Sequence, residues 1–391
     1  MRRLVYVLLV AALARAEEKV DLLMMNRIKA EAFQNSKVME NAFYLTDVYG
    51  PRLTGSPGLQ AAADWAVKRM QEWGLKNAKQ EKWGPFGRRW HTVRFAAHMK
   101  EPQYAPLIGF ARPWSPGTGG PVAGQPILAV IDTDADFEKF KGKLKGKIVL
   151  LEPPRPSKPI TTVLTQRYSD AELAAEALAP DPSPASPFFA PIPQPPAAGQ
   201  RRIPGFVPGQ PFDREAAERY RNKLNKFLSD EGALVTLIPG FGTDGGTVFA
   251  TAAGSRDPKD PLPPPAVALT LEHYDRIARL IEKKIPITLE FDIENRMDDQ
   301  NNDSFTVTGE LASGRANDEI VMLGAHLDSW TGGTGATDNA AGCAVALEAI
   351  RILKALDVKL PRTVRVGLWT GEEQGLLGSK AYVKDHFADR D

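Results

Sequence analysis

The chain of 391 residues contains a single cysteine, Cys343, so no disulfide can form within it and its stability has to come from packing. Charge of one sign is also missing. Lys and Arg number 49 against 48 Asp and Glu, a formal net charge of +1. Such a balance gives no electrostatic basis for binding nucleic acid. No internal repeat is apparent. Past residue 16 no apolar run is long enough to span a bilayer. Glycines 332, 333 and 335 lack the lysine that a phosphate-cradling loop requires, which excludes a P-loop.

What is present is an ordinary folding composition, 43% hydrophobic and 25% charged, with enough length for two domains. Residues 320–325, I-V-M-L-G-A, form a short apolar run that reads as a buried strand ending in His326 and Asp328. A second run, 363–369, ends in Glu372-Glu373. Between them, 339–356 spaces Cys343, Leu347, Ile350 and Leu353 by three or four, which predicts a helix with Cys343 as a small core residue. Strand, helix, strand predicts an α/β fold, and ligands in open α/β sheets gather beyond the carboxyl ends of the strands.

The residue types at those ends suit a divalent, zinc-like ion. His326 is the nitrogen ligand. Asp328, two residues on, is placed to accept the other ring N–H and fix the tautomer. Asp338 follows after 12 residues, at the start of the helix, with two oxygens to bridge a cation pair. Of the adjacent Glu372 and Glu373, one can bind metal while the other faces the water. Ligand type alone leaves cobalt and manganese open beside zinc.

The motifs G-A-H-L-D-S-W, A-T-D-N-A-A-G and W-T-G-E-E-Q-G resemble the secreted co-catalytic di-zinc exopeptidase family, which includes aminopeptidases and carboxypeptidase Q-like enzymes. The resemblance implies a mixed sheet flanked by helices and two zinc ions per complete site. It implies that His326 binds one zinc, Asp338 bridges both, Glu373 binds the other, Glu372 is the general base and Asp328 stands behind His326. It also implies hydrolysis of peptides or dipeptides by a zinc-bridging hydroxide. The family draws two further ligands, an Asp and a His, from later sequence. Asp385 and His386 come too early, so the expectation is a domain incomplete at its C-terminus and inactive as it stands. The rivals are a catalytically incomplete binding module and a glutaminyl cyclase-like aminoacyltransferase with one zinc.

Residues 1–16 combine a basic start, a short apolar run and an Ala-Arg-Ala site, the pattern of a cleaved signal peptide, with an uncleaved anchor as the other reading. A secreted or periplasmic protein with no membrane contact after cleavage is expected. Residues 17–104 read as mainly helical and as the first part of the peptidase domain. An amphipathic helix around Asp64, Trp65, Val67, Met70 and Trp73 ends at Gly74, and strand-type sequence surrounds His91 and His98. The connector 49–58, Y-G-P-R-L-T-G-S-P-G, resembles the opening segment of the same family; Arg52 there either contacts substrate or holds the loop. Residues 105–292 read as a mainly β insertion whose L-K-G-K-I-V-L-L resembles a protease-associated domain. A Pro-rich excursion occupies 180–211, and a helix carries His273. Residues 301–303 read as a turn, and 293–391 form the second part of the peptidase domain. Oligomeric state is not readable from the sequence.

Overall fold

The computed structural model of the chain describes residues 20–155, 161, 167–178, 213–240, 248–313 and 319–387. The expected leader, 1–16, and the Pro-rich excursion, 180–211, lie outside the described residues. In chain order the helices are α1 (Leu22–Gln34), α2 (Val38–Phe43), α3 (Pro57–Glu72), α4 (Asp134–Phe140), α5 (Asp170–Glu176), α6 (Arg214–Asp230), α7 (Leu271–Glu282), α8 (Ala341–Ala355) and α9 (Leu377–Phe387). The strands are β1 (Lys76–Glu101), β2 (Ala105–Pro106), β3 (Gly109–Ala111), β4 (Val122–Gly124), β5 (Pro126–Leu128), β6 (Ile148–Leu150), β7 (Val235–Pro239), β8 (Ala266–Leu269), β9 (Thr288–Leu311), β10 (Ile320–His326) and β11 (Thr363–Trp369).

Two sheets result. The first runs β10-β11-β9-β1-β2, with β4 also paired to β9. The second runs β3-β8-β7-β6-β5 and takes all its strands from 109–269. In the first sheet β10 and β11 are parallel, from Ile320↔Thr363 to His326↔Trp369. A parallel pair needs a crossover, and α8 supplies it. Its Cys343, Leu347 and Ile350 are buried against Val364, Val366 and Leu368 of β11 in one core. On the opposite face of β11, Arg365 donates to the Tyr382 hydroxyl of α9 at 2.6 Å. The layers are therefore helix, sheet, helix.

Helix α3 starts because Ser56 caps it, accepting from the Leu59 N–H at 3.3 Å, and Pro57 opens its first turn. It stops at Gly74, whose φ of +76° suits glycine. Its buried face, Leu59, Ala62, Ala63, Ala66 and Met70, is small enough for close contact with the sheet. A Cβ on Gly309 of β9 would lie 2.5 Å from Met70 Sδ, so the strand is glycine where the helix presses on it.

Strands β1 and β9, of 26 and 24 residues, form one antiparallel ribbon joining the two sheets. Near β11 the ribbon belongs to the core with α3 and α8. Farther out its Trp90, Met99, Leu289 and Phe291 pack with Leu150, Leu237 and Val267 of the second sheet. That sheet is buried on both sides. Ile148 and Leu150 face the ribbon core, whereas Val149 and Leu151 face Phe137 and Phe140 of α4 and Leu224 and Leu228 of α6. Burial on both faces is the rule for parallel sheets.

The α/β class expected from the sequence holds. Three details are corrected. First, the strand expected around His91 and His98 reaches back to Lys76: a sequence as charged as K-N-A-K-Q-E-K is extended because β9 pairs with it, tertiary context overriding local propensity. Second, 301–303 is no turn but part of β9. Its turn-type residues sit where the ribbon register slips, between Trp83 and Gly87 and between Gly87 and Arg89, and an irregular ladder tolerates them. Third, within 105–292 the parallel pair β6 and β7 requires a crossover, so the 17-residue α6 accompanies the short strands, beside the expected helix around His273, which is α7.

Trp90 is the anchor of the outer ribbon, 1% exposed, with its indole N–H donating to the Ser115 carbonyl at 2.7 Å. Trp90→Ala is expected to lower unfolding stability by about 3–5 kcal/mol, measured by urea denaturation.

Candidate metal centre

The in-register parallel pair brings the ends of β10 and β11 side by side, and the motif residues lie beyond those ends. The Leu327 N–H donates to the Trp369 carbonyl at 2.6 Å, extending the pairing one step past His326. Asp328 and Ser329 then turn across the sheet end, while 370–373 leave β11 next to them.

Asp328 is fully buried. Its Oδ2 accepts from the Thr54 hydroxyl at 3.0 Å and from the Glu373 N–H at 3.3 Å, and its Oδ1 accepts from the Glu372 N–H at 3.3 Å. Thr54 in turn accepts from the Gly371 N–H at 2.9 Å. One carboxylate thus fixes the backbone that aims both glutamates. The expected bond from the His326 ring to the Asp328 side chain is corrected. Nδ1 lies 3.0 Å from the Asp328 backbone carbonyl and 3.7 Å from its carboxylate. A carbonyl can only accept, so Nδ1 carries the proton and the carboxylate acts through its charge.

His326 Nε2 is 2.9 Å from Asp338 Oδ1 and 3.9 Å from Glu372 Oε2. His326, Asp338 and Glu373 each offer one ligand atom within 4.8 Å of the others, the metal-type group found among the described residues. Asp338 does not stand directly at the helix start as expected. It is extended, with φ −120° and ψ 93°, in an irregular turn, Ala336–Ala340, and α8 begins only at Ala341. The extended backbone leaves its side chain 71% exposed, open on the solvent side of the group.

The electrostatics are those of surplus negative charge. Burial alone would lower the His326 pKa, but Asp328, then Glu372 and Asp338, outweigh it and hold the ring at about 9. Burial, then Asp338 and Asp328, push Glu373 up to about 7. Glu372 is also raised, by burial first, with His326 partly offsetting it. One nitrogen and several carboxylate oxygens, without thiolate, fit a divalent ion that takes N and O ligands and keeps an open position.

Arg52 resolves its two readings in favour of holding the loop. Fully buried, it donates to the carbonyls of Leu327 at 2.7 Å, Thr334 at 2.8 Å and Gly335 at 3.0 Å, and to that of Leu45. It therefore ties the start of the Asp328 loop to the segment leading to Asp338. Cys343 is core, as expected, its thiol donating to the His326 carbonyl at 3.0 Å; burial pushes it up to about 12. His91, His98 and His386 stand apart from the group: His98 stacks on Tyr104, and His386 pairs with Glu81. Thr54 carries no motif signal of its own. Its one available clue is its place in the connector 49–58.

Comparison with known proteins bears on this arrangement. Residues 306–391 match the model of Peptidase family M28. Carboxypeptidase Q of Mus musculus is 27% identical over 363 residues, 91% of this chain and 63% of that protein. The chain thus spans less than two thirds of the length of this relative. Leucine aminopeptidase 2 of Trichophyton equinum is 35% identical over 148 residues, 37% of this chain and 28% of its own length. Among solved structures, a Peptidase M28 precursor from Shewanella amazonensis superposes with a TM-score of 0.57 at 24% identity, covering 94% of this chain and 70% of that one. BSAP, a zinc aminopeptidase from Bacillus subtilis, gives 0.50 at 18% identity, covering 90% and 64%. At these identities the two structures speak to the fold alone. The family match falls on the segment that supplies β11 and the glutamate pair, so residues 306–391 are similar to peptidase family M28, and the wider likeness to carboxypeptidase Q runs through most of the sequence.

Proposed function

We propose that the protein is a zinc metallo-exopeptidase acting on peptides, exported from the cytoplasm, with its metal held by His326, Asp338 and Glu373. The observation that supports this most is the convergence of those three side chains within 4.8 Å at the carboxyl ends of two parallel strands. Asp338, with two oxygens and an exposed side, is the residue suited to bridge a pair of ions; the count of two rests on the family resemblance. The chemistry that zinc would supply when held there is polarisation of the scissile carbonyl and acidification of water.

The chain's own residues do the rest. Glu372, a third exposed and 3.9 Å from His326 Nε2, faces the same space without belonging to the ligand group. It removes a proton from the attacking water and delivers it to the leaving nitrogen. Asp328 and Thr54 hold the Glu372-Glu373 backbone so that one carboxylate ligates while its neighbour works as base. The Asp328 carbonyl keeps the proton on His326 Nδ1, leaving Nε2 for the metal. The inserted second sheet resembles a protease-associated domain in sequence, and a cover over the substrate approach is the role that fits it.

Three outcomes test this reading on the full protein. Glu372→Gln is expected to retain zinc, measured by elemental analysis, and to lose peptide hydrolysis by about 10²–10⁴-fold; full activity in that variant rejects the base assignment. Removing metal with a chelator is expected to abolish hydrolysis, and adding zinc to restore it. Thr54→Val preserves shape but removes both of its hydrogen bonds, so zinc affinity or turnover should fall by about 10–100-fold, followed by zinc titration and initial rates.

A further inference from the structure

A cleft of about 970 Å³ has Gln374 in its lining. It is walled by the ribbon at Phe86, by α6 at Glu218, Arg221 and Asn222, and by the 252–260 loop at Arg256, and it reaches Gln374. Gln374 is the residue after Glu373. It lies in a tight turn closed by the N–H groups of Gly375 and Leu376 on the Glu372 carbonyl, at 2.8 and 2.9 Å. The cleft therefore reaches the residue that directly follows the glutamate pair.

Among the described residues, eight buried side-chain polar atoms lack a hydrogen-bond partner. Four of them belong to three residues lining this one cleft: Arg221 Nε, Asn222 Oδ1 and both carboxamide atoms of Gln374. Buried polar groups are nearly always paired, and a cluster of exceptions points to a ligand that pairs them. The carboxamide offers an acceptor beside two donors, which matches the N–H and C=O of a peptide unit. The walls carry both signs, Glu218 opposing Arg221 and Arg256, so charge does not select the ligand. At the top of the usual volume range for ligand sites, about 300–1,000 Å³, the cleft exceeds what a dipeptide fills.

We propose that Gln374 binds the main chain of an extended peptide and that this cleft holds the residues next to the scissile bond, making oligopeptides, rather than dipeptides, the preferred substrates. The inference rests on the exopeptidase reading and deepens it.

The test uses the full zinc-loaded protein and alanine peptides of two to five residues. The wild-type kcat/KM should rise with length. Gln374→Met keeps the shape and removes the polar head; it should lose about twofold on dialanine and about tenfold on tetra-alanine, the size of one to two neutral hydrogen bonds, mainly through KM and with zinc content unchanged. An equal loss at every length overturns the proposal, because it would show that Gln374 merely supports Glu373; so does a wild-type profile flat in length. Should Gln374→Met fold poorly, Gln374→Glu, which keeps acceptors and loses donors, gives the same comparison. Calorimetric binding of tetra-alanine to Glu372→Gln with and without the Gln374 change separates the two levels. Weaker binding in the double variant supports the cleft even if the wild-type protein hydrolyses nothing, an outcome that would sink the exopeptidase reading alone; unchanged binding overturns the cleft.

Discussion

The buried carboxylate of Asp328 is the point on which the centre depends. A fully buried charge is tolerated only where hydrogen bonds and opposite charge surround it. Here the Thr54 hydroxyl and two backbone N–H groups supply the bonds, and His326 lies beside it. Because those N–H groups belong to Glu372 and Glu373, satisfying Asp328 and aiming the glutamates are the same event. Thr54 comes from the connector before α3, Asp328 from the loop after β10 and the glutamates from the end of β11. Three distant segments are thus locked by one acidic side chain.

Around that lock, negative charge is left in excess. Asp338, Glu372 and Glu373 crowd one imidazole, and the upward shifts at His326 and Glu373 express the same imbalance from opposite sides. A protein maintains such repulsion at a site where a cation is to relieve it. The buried guanidinium of Arg52 makes its hydrogen bonds to the carbonyls of Leu327, Thr334, Gly335 and Leu45, not to these carboxylates. Its role is to hold the two loops at the spacing the ligand group needs.

The β1–β9 ribbon explains how a second sheet comes to stand beside this centre. Its inner half pairs with β11 and underlies α3, and its outer half carries Trp90, Met99 and Phe291 into the core of the second sheet. Where its register slips, near Gly87, it forms a wall of the cleft that reaches Gln374. The irregularity in the ladder and the cleft share one place in the fold.

By itself the sequence determined the α/β class, the strand-helix-strand order of 320–369 and the identity of the clustered residues, because apolar runs and three- to four-residue spacing are local signals. His326, Asp328, Asp338 and the glutamate pair were legible from residue type at strand ends. Tertiary structure decided what pairing across long distances controls. It extended the strand around His91 and His98 back through the charged start of β1, absorbed 301–303 into β9, and gave α6 to a segment that reads as short strands. It also chose the Asp328 carbonyl over its carboxylate as partner for His326, assigned Arg52 to the loops, and brought in Thr54 and Gln374. Their parts follow from hydrogen bonds and packing between segments far apart in the chain, and no spacing along the chain records which distant groups will meet.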